Sequence, residues 1–376
     1  MSVALLALAL AASVSAPAPA PARPTPAAAA HGRAPVIAVT GENKAGPRVE
    51  VAFVLDTTGS MGGLIEGAKR RIWSIARRIG EGRPRPDVRI ALVAYRDLGD
   101  AYVTRTFDFT GDMDEVFGHL SVLRAEGGGD GPEHVSAAMH DAVHRLTWSS
   151  GRALRMIVLV GDAPPHVDYQ DGFDYRRHVG EARQRGIVVE AIQCGEDTQT
   201  AAVWREIASA GAGQYARIDA QGGMPVRVTA ADAELTRLSA ELSSTVVAGG
   251  SAAERRDTEA KLAQRRAMPA AVAAEAAGYF GARDRVAEHD LVDLPVAEQK
   301  KALPSSAPPV LQGKTEEQAL AYLQAQKVRR EGLQARIREL TKQREAVLSA
   351  AAPADAFDEK VVGALKDQAR TQGIVY

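Results

Sequence analysis

The chain has 376 residues, 45% of them hydrophobic and 25% charged, with a formal net charge of −1. That composition is ordinary for a globular protein, the length exceeds one average domain, and the near-neutral balance excludes the basic surface a nucleic-acid binder needs. The only cysteine, Cys194, excludes an internal disulfide and a cysteine-based metal cluster.

MSVALLALALAASVSA opens the chain with an apolar stretch followed by small residues, a pattern that resembles a secretory signal peptide. Residues 1–22 therefore read as a signal-like segment, and the first 13 to 22 residues are expected to be lost on export, leaving a periplasmic or secreted protein; the alternative is an Ala-rich tail on a cytoplasmic one. The stretch is too short to span a bilayer comfortably, and no cysteine follows it to take a lipid anchor. Residues 23–47, rich in Pro and Ala, read as a stiff, extended linker.

From residue 48 strand and helix signals alternate. VEVAFVL (49–55) reads as a buried strand, residues 61–79 as an amphipathic helix, VRIALVAY (88–95) as a strand and YVTRTFDF (102–109) as a half-exposed one. Residues 112–123 and 132–146 read as helices, the second with Pro132 at its first position. ALRMIVLVG (153–161) is the most apolar strand, an Arg-rich helix reaches residue 184, IVVEAIQC (187–194) is another strand, residues 198–209 a helix and GQYARI (213–218) the last strand. Strands that are apolar throughout and alternate with helices predict an α/β domain over 48–225: a doubly wound, mostly parallel sheet covered on both faces. Cys194 is expected as a small buried hydrophobe.

Beyond residue 228 the signals are helical, over 230–247, 252–266 and 314–350. Residues 226–302 are expected as a helical extension, 303–313 as a linker and 314–376 as a C-terminal helical segment. Leu333, Ile337, Leu340 and Val347 give barely two heptads. A helical hairpin folded back on its own domain is the expectation, with coiled-coil self-association as the alternative. The basic runs Lys69-Arg70-Arg71 and Arg329-Arg330 read as solvated helix faces.

Chemistry concentrates where core strands end. The first apolar run stops at Asp56, followed by Thr57-Thr58-Gly59-Ser60. One such side chain is explained as a helix cap, but Asp56, Thr58 and Ser60 alternate and so can converge, and a carboxylate with two hydroxyls suits Mg²⁺, Mn²⁺ or Ca²⁺. MIVLVGDAPPH repeats the logic: its strand runs out at Asp162. Ligands of open parallel sheets bind beyond the carboxyl ends of strands where the winding reverses, so neighbouring strands there would bring Asp56 and Asp162 together. Between them lies RAEGGGDGPEH, in which Asp130 is a helix cap, a member of the site, or both.

Together these stretches resemble the von Willebrand factor type A domain and its metal-ion-dependent adhesion site. Asp56-Thr57-Thr58-Gly59-Ser60 matches the family's Asp-x-Ser/Thr-x-Ser motif, Met61 is its usual next residue, and Asp162 matches the Asp after the fourth strand. At the middle position, usually threonine, stands Asp130 within GGGDGPE, a combination found with DTTGSM in a subset of the family. The resemblance spans roughly residues 48–220 and implies a binding module rather than an enzyme. It further implies that Thr58 and Ser60 touch the ion, that Asp56 and Asp162 hold it through waters, and that a partner protein's carboxylate fills an open position. A third carboxylate at Asp130 would tighten cation binding and weaken the pull on an acidic partner.

Two rival functions come from other classes. DTTGS also resembles the motif of phosphoaspartyl phosphatases, with Asp56 as nucleophile, but it lacks that motif's lysine, and Thr58 cannot serve as the acid/base expected two residues on. The other is a scaffold acting through its C-terminal helices. His134 and His166 are expected to be solvated loop histidines, and Asp97 and Asp100 loop residues that could neighbour the site.

Overall fold

The computed structural model describes residues 46–129, 131–224, 227–306, 308–349 and 356–376. The signal-like segment, nearly all of the Pro/Ala-rich stretch and Asp130 lie outside the described residues.

Apolar runs become strands because both faces of each are covered. In chain order the alternating region consists of β1 (Arg48–Asp56), a short 3-10 turn (Gly59–Met61), α1 (Gly62–Gly80), β2 (Asp87–Tyr95), β3 (Thr104–Thr110), α2 (Met113–Val122), α3 (Val135–His144), β4 (Ala153–Gly161), α4 (Tyr175–Gln184), β5 (Ile187–Cys194), α5 (Thr198–Ala210) and β6 (Ala212–Ile218). The six strands form one sheet in the order β3-β2-β1-β4-β5-β6, parallel except for the antiparallel edge strand β3. This is the expected doubly wound α/β fold. The winding reverses between β1 and β4, which pair from Arg48 with Ala153 to Leu55 with Val160.

Alternate residues of one strand enter different cores. Val49, Val51, Phe53 and Leu55 of β1 face one side and Ala52 and Val54 the other, and β4 divides in the same way. The second side is closed by α3, α4 and α5. The first is closed by α1 and α2 and by the C-terminal region, whose Ala273, Tyr279, Leu340 and Phe357 join the same buried cluster. Trp73 of α1 illustrates the joint: its ring packs 5.8 Å from Phe117 of α2 and 5.3 Å from Phe280. Cys194 is buried and free, as expected.

The C-terminal region comprises α6 (Asp232–Ser244), α7 (Ala252–Arg266), α8 (Ala270–Gly281), α9 (Val296–Ser306), α10 (Glu316–Ser349) and α11 (Phe357–Thr371). The long α10 folds back on α6 and α8, the hairpin-like reading rather than a free coiled coil. Residues 303–313, expected as a linker, instead include the end of α9 and a turn, Pro309–Leu311, whose Leu311 is buried. The basic runs are also not merely solvated. Arg330 is buried, and its guanidinium lies 2.5 Å from Asp290 Oδ2 and donates to Thr245 O at 3.0 Å; Arg71 holds Glu275 at 2.9 Å. Buried guanidinium groups persist where carboxylates and carbonyls satisfy them; α8 supplies Glu275, and the residue after α6 and the turn at Asp290 supply the partners of Arg330. No helix among the described residues is long and apolar enough to cross a membrane.

Candidate metal centre

Asp56 is the last residue of β1, and the chain turns sharply after it. Thr58 donates to Asp56 Oδ1 twice, from its backbone N at 2.9 Å and its hydroxyl at 2.6 Å, and its Oγ1 lies 3.5 Å from Ser60 Oγ. Thr57 points the other way: its hydroxyl donates to Tyr95 O at 2.9 Å and meets Tyr102 OH at 2.8 Å. Asp56, Thr58 and Ser60 thus come together; alternation places Asp56 and Thr58 on one side, whereas Ser60 is brought in by the 3-10 turn and not by the extended segment the sequence suggested. The capping explanation fails, because neither the 3-10 turn nor α1 receives a side-chain cap bond at its N-cap. Asp56 and Thr58 are buried while Ser60 is exposed, so the cluster opens outward along this motif.

Asp162 follows the last residue of β4, half-buried, beside the end of β1. The residue before it must be small. A Cβ on Gly161 would lie 2.4 Å from Tyr95 OH and 3.2 Å from Asp56 Oδ2.

The glycine loop is laid onto the first motif by backbone bonds, Glu126 N to Thr57 O at 3.0 Å and Gly59 N to Gly127 O at 3.1 Å. Gly128 has φ +78, and a Cβ there would stand 3.1 Å from Thr58 Cβ and 3.0 Å from Glu133 Oε1. Both the left-handed backbone and the close approach require glycine. Asp100 anchors the loop by accepting from Gly128 N at 3.1 Å.

Beyond this loop the helix starts later than expected. Pro132 and Glu133 precede α3, whose cap is His134, accepting from Ala137 N at 3.3 Å. Glu133 instead bridges to the loop after β4: its N donates to Pro164 O at 2.9 Å, and His166 N donates to Glu133 O at 3.0 Å. This strand-like pairing turns a residue expected on a helix into part of the site, which sequence reasoning missed. The visible signal was a glutamate three residues beyond Asp130 in GGGDGPE. The cap considered for Asp130 thus falls to His134.

The electrostatics are those of crowded acids. Burial, with a smaller push from Asp162, raises Asp56 to about 7 despite the Thr58 bonds and the nearby Arg96. Burial and then the charges of Asp56, Asp97, Asp100 and Asp162 raise Glu133 to about 9. Asp56 Oδ2, Glu133 Oε2 and Asp97 Oδ1 are buried without a hydrogen-bond partner among the described residues. Arg96 is buried beside them, but its guanidinium is taken by Thr57 O at 3.2 Å and Arg124 O at 2.7 Å. Buried carboxylates without compensation are costly, and an all-oxygen donor set with spare lone pairs fits a hard divalent cation. The site residues therefore fit the ion that the sequence resemblance implied.

The neighbouring side chains also depart from expectation. His134 and His166 are not solvated: His134 is buried with Nε2 2.7 Å from Asp171 Oδ2, and the His166 side chain is 7% exposed with Nδ1 2.8 Å from Asp168 Oδ1. Asp97 is buried and accepts from Tyr169 OH at 2.7 Å. Aromatic stacking explains the enclosure, since the His166 and Tyr169 rings lie 4.1 Å apart.

Residues 50–219 match the family model described as von Willebrand factor A domain. Similar curated proteins include alpha-protein kinase vwkA of Dictyostelium discoideum, 31% identical over 125 residues, 33% of this chain and 20% of that protein. Von Willebrand factor A domain-containing protein 7 of Rattus norvegicus is 40% identical over 100 residues, 26% of this chain and 10% of that protein. The chain thus spans a fifth or less of these relatives. Among solved structures, proximal thread matrix protein 1 from the mussel byssus aligns over 46% of this chain and 42% of its own, at 15% identity and a TM-score of 0.37. A form of that protein with a zinc-occupied MIDAS motif aligns at the same identity and TM-score, over 41% of its own length.

Proposed function

With residues 50–219 established as a von Willebrand factor A domain, we propose that the chain is a divalent-cation-dependent protein-binding module without catalytic turnover. The observation that carries this reading is the pair of buried carboxylate oxygens on Asp56 and Glu133 that have no hydrogen-bond partner among the described residues, beside Thr58 and, through it, Ser60. Asp56, Thr58, Ser60 and Asp162, with Glu133, would hold Mg²⁺, or Mn²⁺ or Ca²⁺ in its place, and Asp130 is assigned to the same set from its position in the motif. Bound there, the ion supplies a positive centre that neutralises the acids and exchanges a water for an outside oxygen ligand. The exposed Ser60 side is where a partner's carboxylate would reach it. Export to the periplasm or medium is part of the same proposal, resting on the apolar N-terminal stretch.

Capture experiments with the immobilised full chain test it. A partner should be retained in Mg²⁺, released by chelator and missed by Asp56→Asn. Retention that ignores chelator would transfer the function to the C-terminal helices. Mg²⁺-dependent hydrolysis of a phosphate ester that disappears in Asp56→Asn would instead assign Asp56 as a nucleophile.

A further inference from the structure

Away from the Asp56 cluster, α3 and α4 meet along a seam carrying three imidazoles. His140 and His144 lie one helical turn apart on α3, His178 sits on α4, and the ring centroids are 5.0, 5.1 and 5.6 Å apart. Glu181, a turn beyond His178, places Oε2 2.8 Å from His144 Nε2 and 2.9 Å from His178 Nδ1. One ligand atom from each of His144, His178 and Glu181 falls within 4.8 Å of the others.

We propose that His144, His178 and Glu181, flanked by His140, form a second cation site that takes Zn²⁺ and similar imidazole-seeking divalent ions. Two imidazoles and a carboxylate with a fourth position left to water are a zinc donor set, whereas the oxygen-only cluster around Asp56 suits harder ions. The parts divide the work of binding. His178 is buried and fixed, while the side chains of His144 and Glu181 are 38% and 34% exposed and open the site to solvent. A tetrahedral ion with bonds of about 2.1 Å needs ligand atoms roughly 3.4 Å apart, so the ion would replace the two short contacts of Glu181 and open them by about half an ångström, an adjustment that rotation of the two exposed side chains supplies. The contacts of Glu181 Oε2 with His144 Nε2 and His178 Nδ1 already hold the three side chains together, and an ion taking their place would displace the protons those contacts share. His140 is oriented by Asp141 Oδ1 3.0 Å from its Nδ1, leaving its other nitrogen for the ion or its water. The site is separate from the first, since His144 closes the helix that starts beside Glu133, roughly 14 Å along its axis. An occupant would staple α3 to α4.

The test is Zn²⁺ binding by the full chain in excess Mg²⁺, read by equilibrium dialysis and by melting temperature. Wild type and Asp56→Asn should both bind Zn²⁺ and melt higher with it, whereas His144→Ala and Glu181→Gln should lose both effects. Cobalt adds a spectroscopic readout: the intense visible bands of tetrahedral Co²⁺ should appear in wild type and vanish in His144→Ala. Melting in chelator shows which variants fold, and Glu181→Gln carries the comparison if His144→Ala does not. Zn²⁺ retained equally by His144→Ala and Glu181→Gln, lost in Asp56→Asn, or not bound by wild type would overturn the proposal. Because Asp56→Asn is its positive control, the second site can fail or stand independently of the first.

Discussion

The Thr58 hydroxyl donates a 2.6 Å hydrogen bond to Asp56 Oδ1, while Oδ2 of the same carboxylate is buried and unpartnered among the described residues. One oxygen is positioned and the other is left over, in a place where desolvation raises the group to about 7. A protein that used Asp56 only to shape the turn would have satisfied both.

Asp56→Asn separates the two roles. The amide keeps an acceptor for Thr58 and removes the buried charge, so the metal-free variant should be as stable as wild type or more stable above neutral pH. Its Mg²⁺-induced rise in melting temperature should disappear. For wild type at a hundredfold excess over the dissociation constant, that rise corresponds to about 2.7 kcal/mol. Thermal melts of both proteins with Mg²⁺ and with chelator decide it; an undiminished metal shift in the variant would remove Asp56 from the site.

The same shift sets a pH dependence. Asp56 moves from 3.8 to about 7 on folding and Glu133 from 4.5 to about 9. Both favour the protonated form in the folded state, so their stabilising effect is complete below the unfolded values and is lost as pH rises through the folded ones. Metal-free protein should therefore lose stability from about pH 4 to 7, on the order of 4 kcal/mol from Asp56 alone, and continue to lose it toward pH 9. Saturating Mg²⁺ should flatten the curve, since the ion replaces the protons. Denaturant titrations in chelator across this range check the sign: stability that rises with pH would contradict it.

Gly128→Ala tests whether the glycine loop is fitted to the site. The left-handed backbone costs an ordinary residue about 1–2 kcal/mol, and the new Cβ would press on Thr58 and Glu133, 3.1 and 3.0 Å away. Stability should fall by that amount or more, and cation affinity should fall with it. A stability loss with unchanged Mg²⁺ affinity would show that the loop shapes the fold but not the site.

How much of this was legible in the sequence depends on what each residue's neighbours are. Asp56 and Asp162 stood out because each ends an uninterrupted apolar run, and a parallel sheet with both faces covered makes such runs unmistakable. Their adjacency followed from the position of the winding reversal. Glu133 was hidden because Pro132 looked like the first position of a helix, whereas a backbone pairing with the loop after β4, distant in sequence, delays that helix to Val135. In the C-terminal region α8 went unread for the opposite reason. It is buried nearly all round, so AAVAAEAAGYFG carries no polar face and hence no period. The burial of Arg330 depends on Asp290, Asp293 and Thr245, partners that no local pattern announces.

Asp130 lies outside the described residues, and its assignment rests on the motif. With the cap of α3 supplied by His134, Asp130→Ala should leave metal-free stability unchanged or raised and weaken cation binding. Asp130→Thr should restore the commoner pattern, with weaker ion affinity and a stronger call on an acidic partner. Equal metal-induced melting shifts in wild type and both variants would remove Asp130 from the site.

The most direct measurement is a calorimetric titration of the full chain, stripped with chelator, with Mg²⁺ and with Mn²⁺, set beside Asp162→Ala. The account predicts saturable binding in wild type, tightening as pH rises through about 7 as Asp56 ionises, and loss of that binding in the variant. Absence of saturable binding in wild type, or identical isotherms for the two proteins, would contradict it.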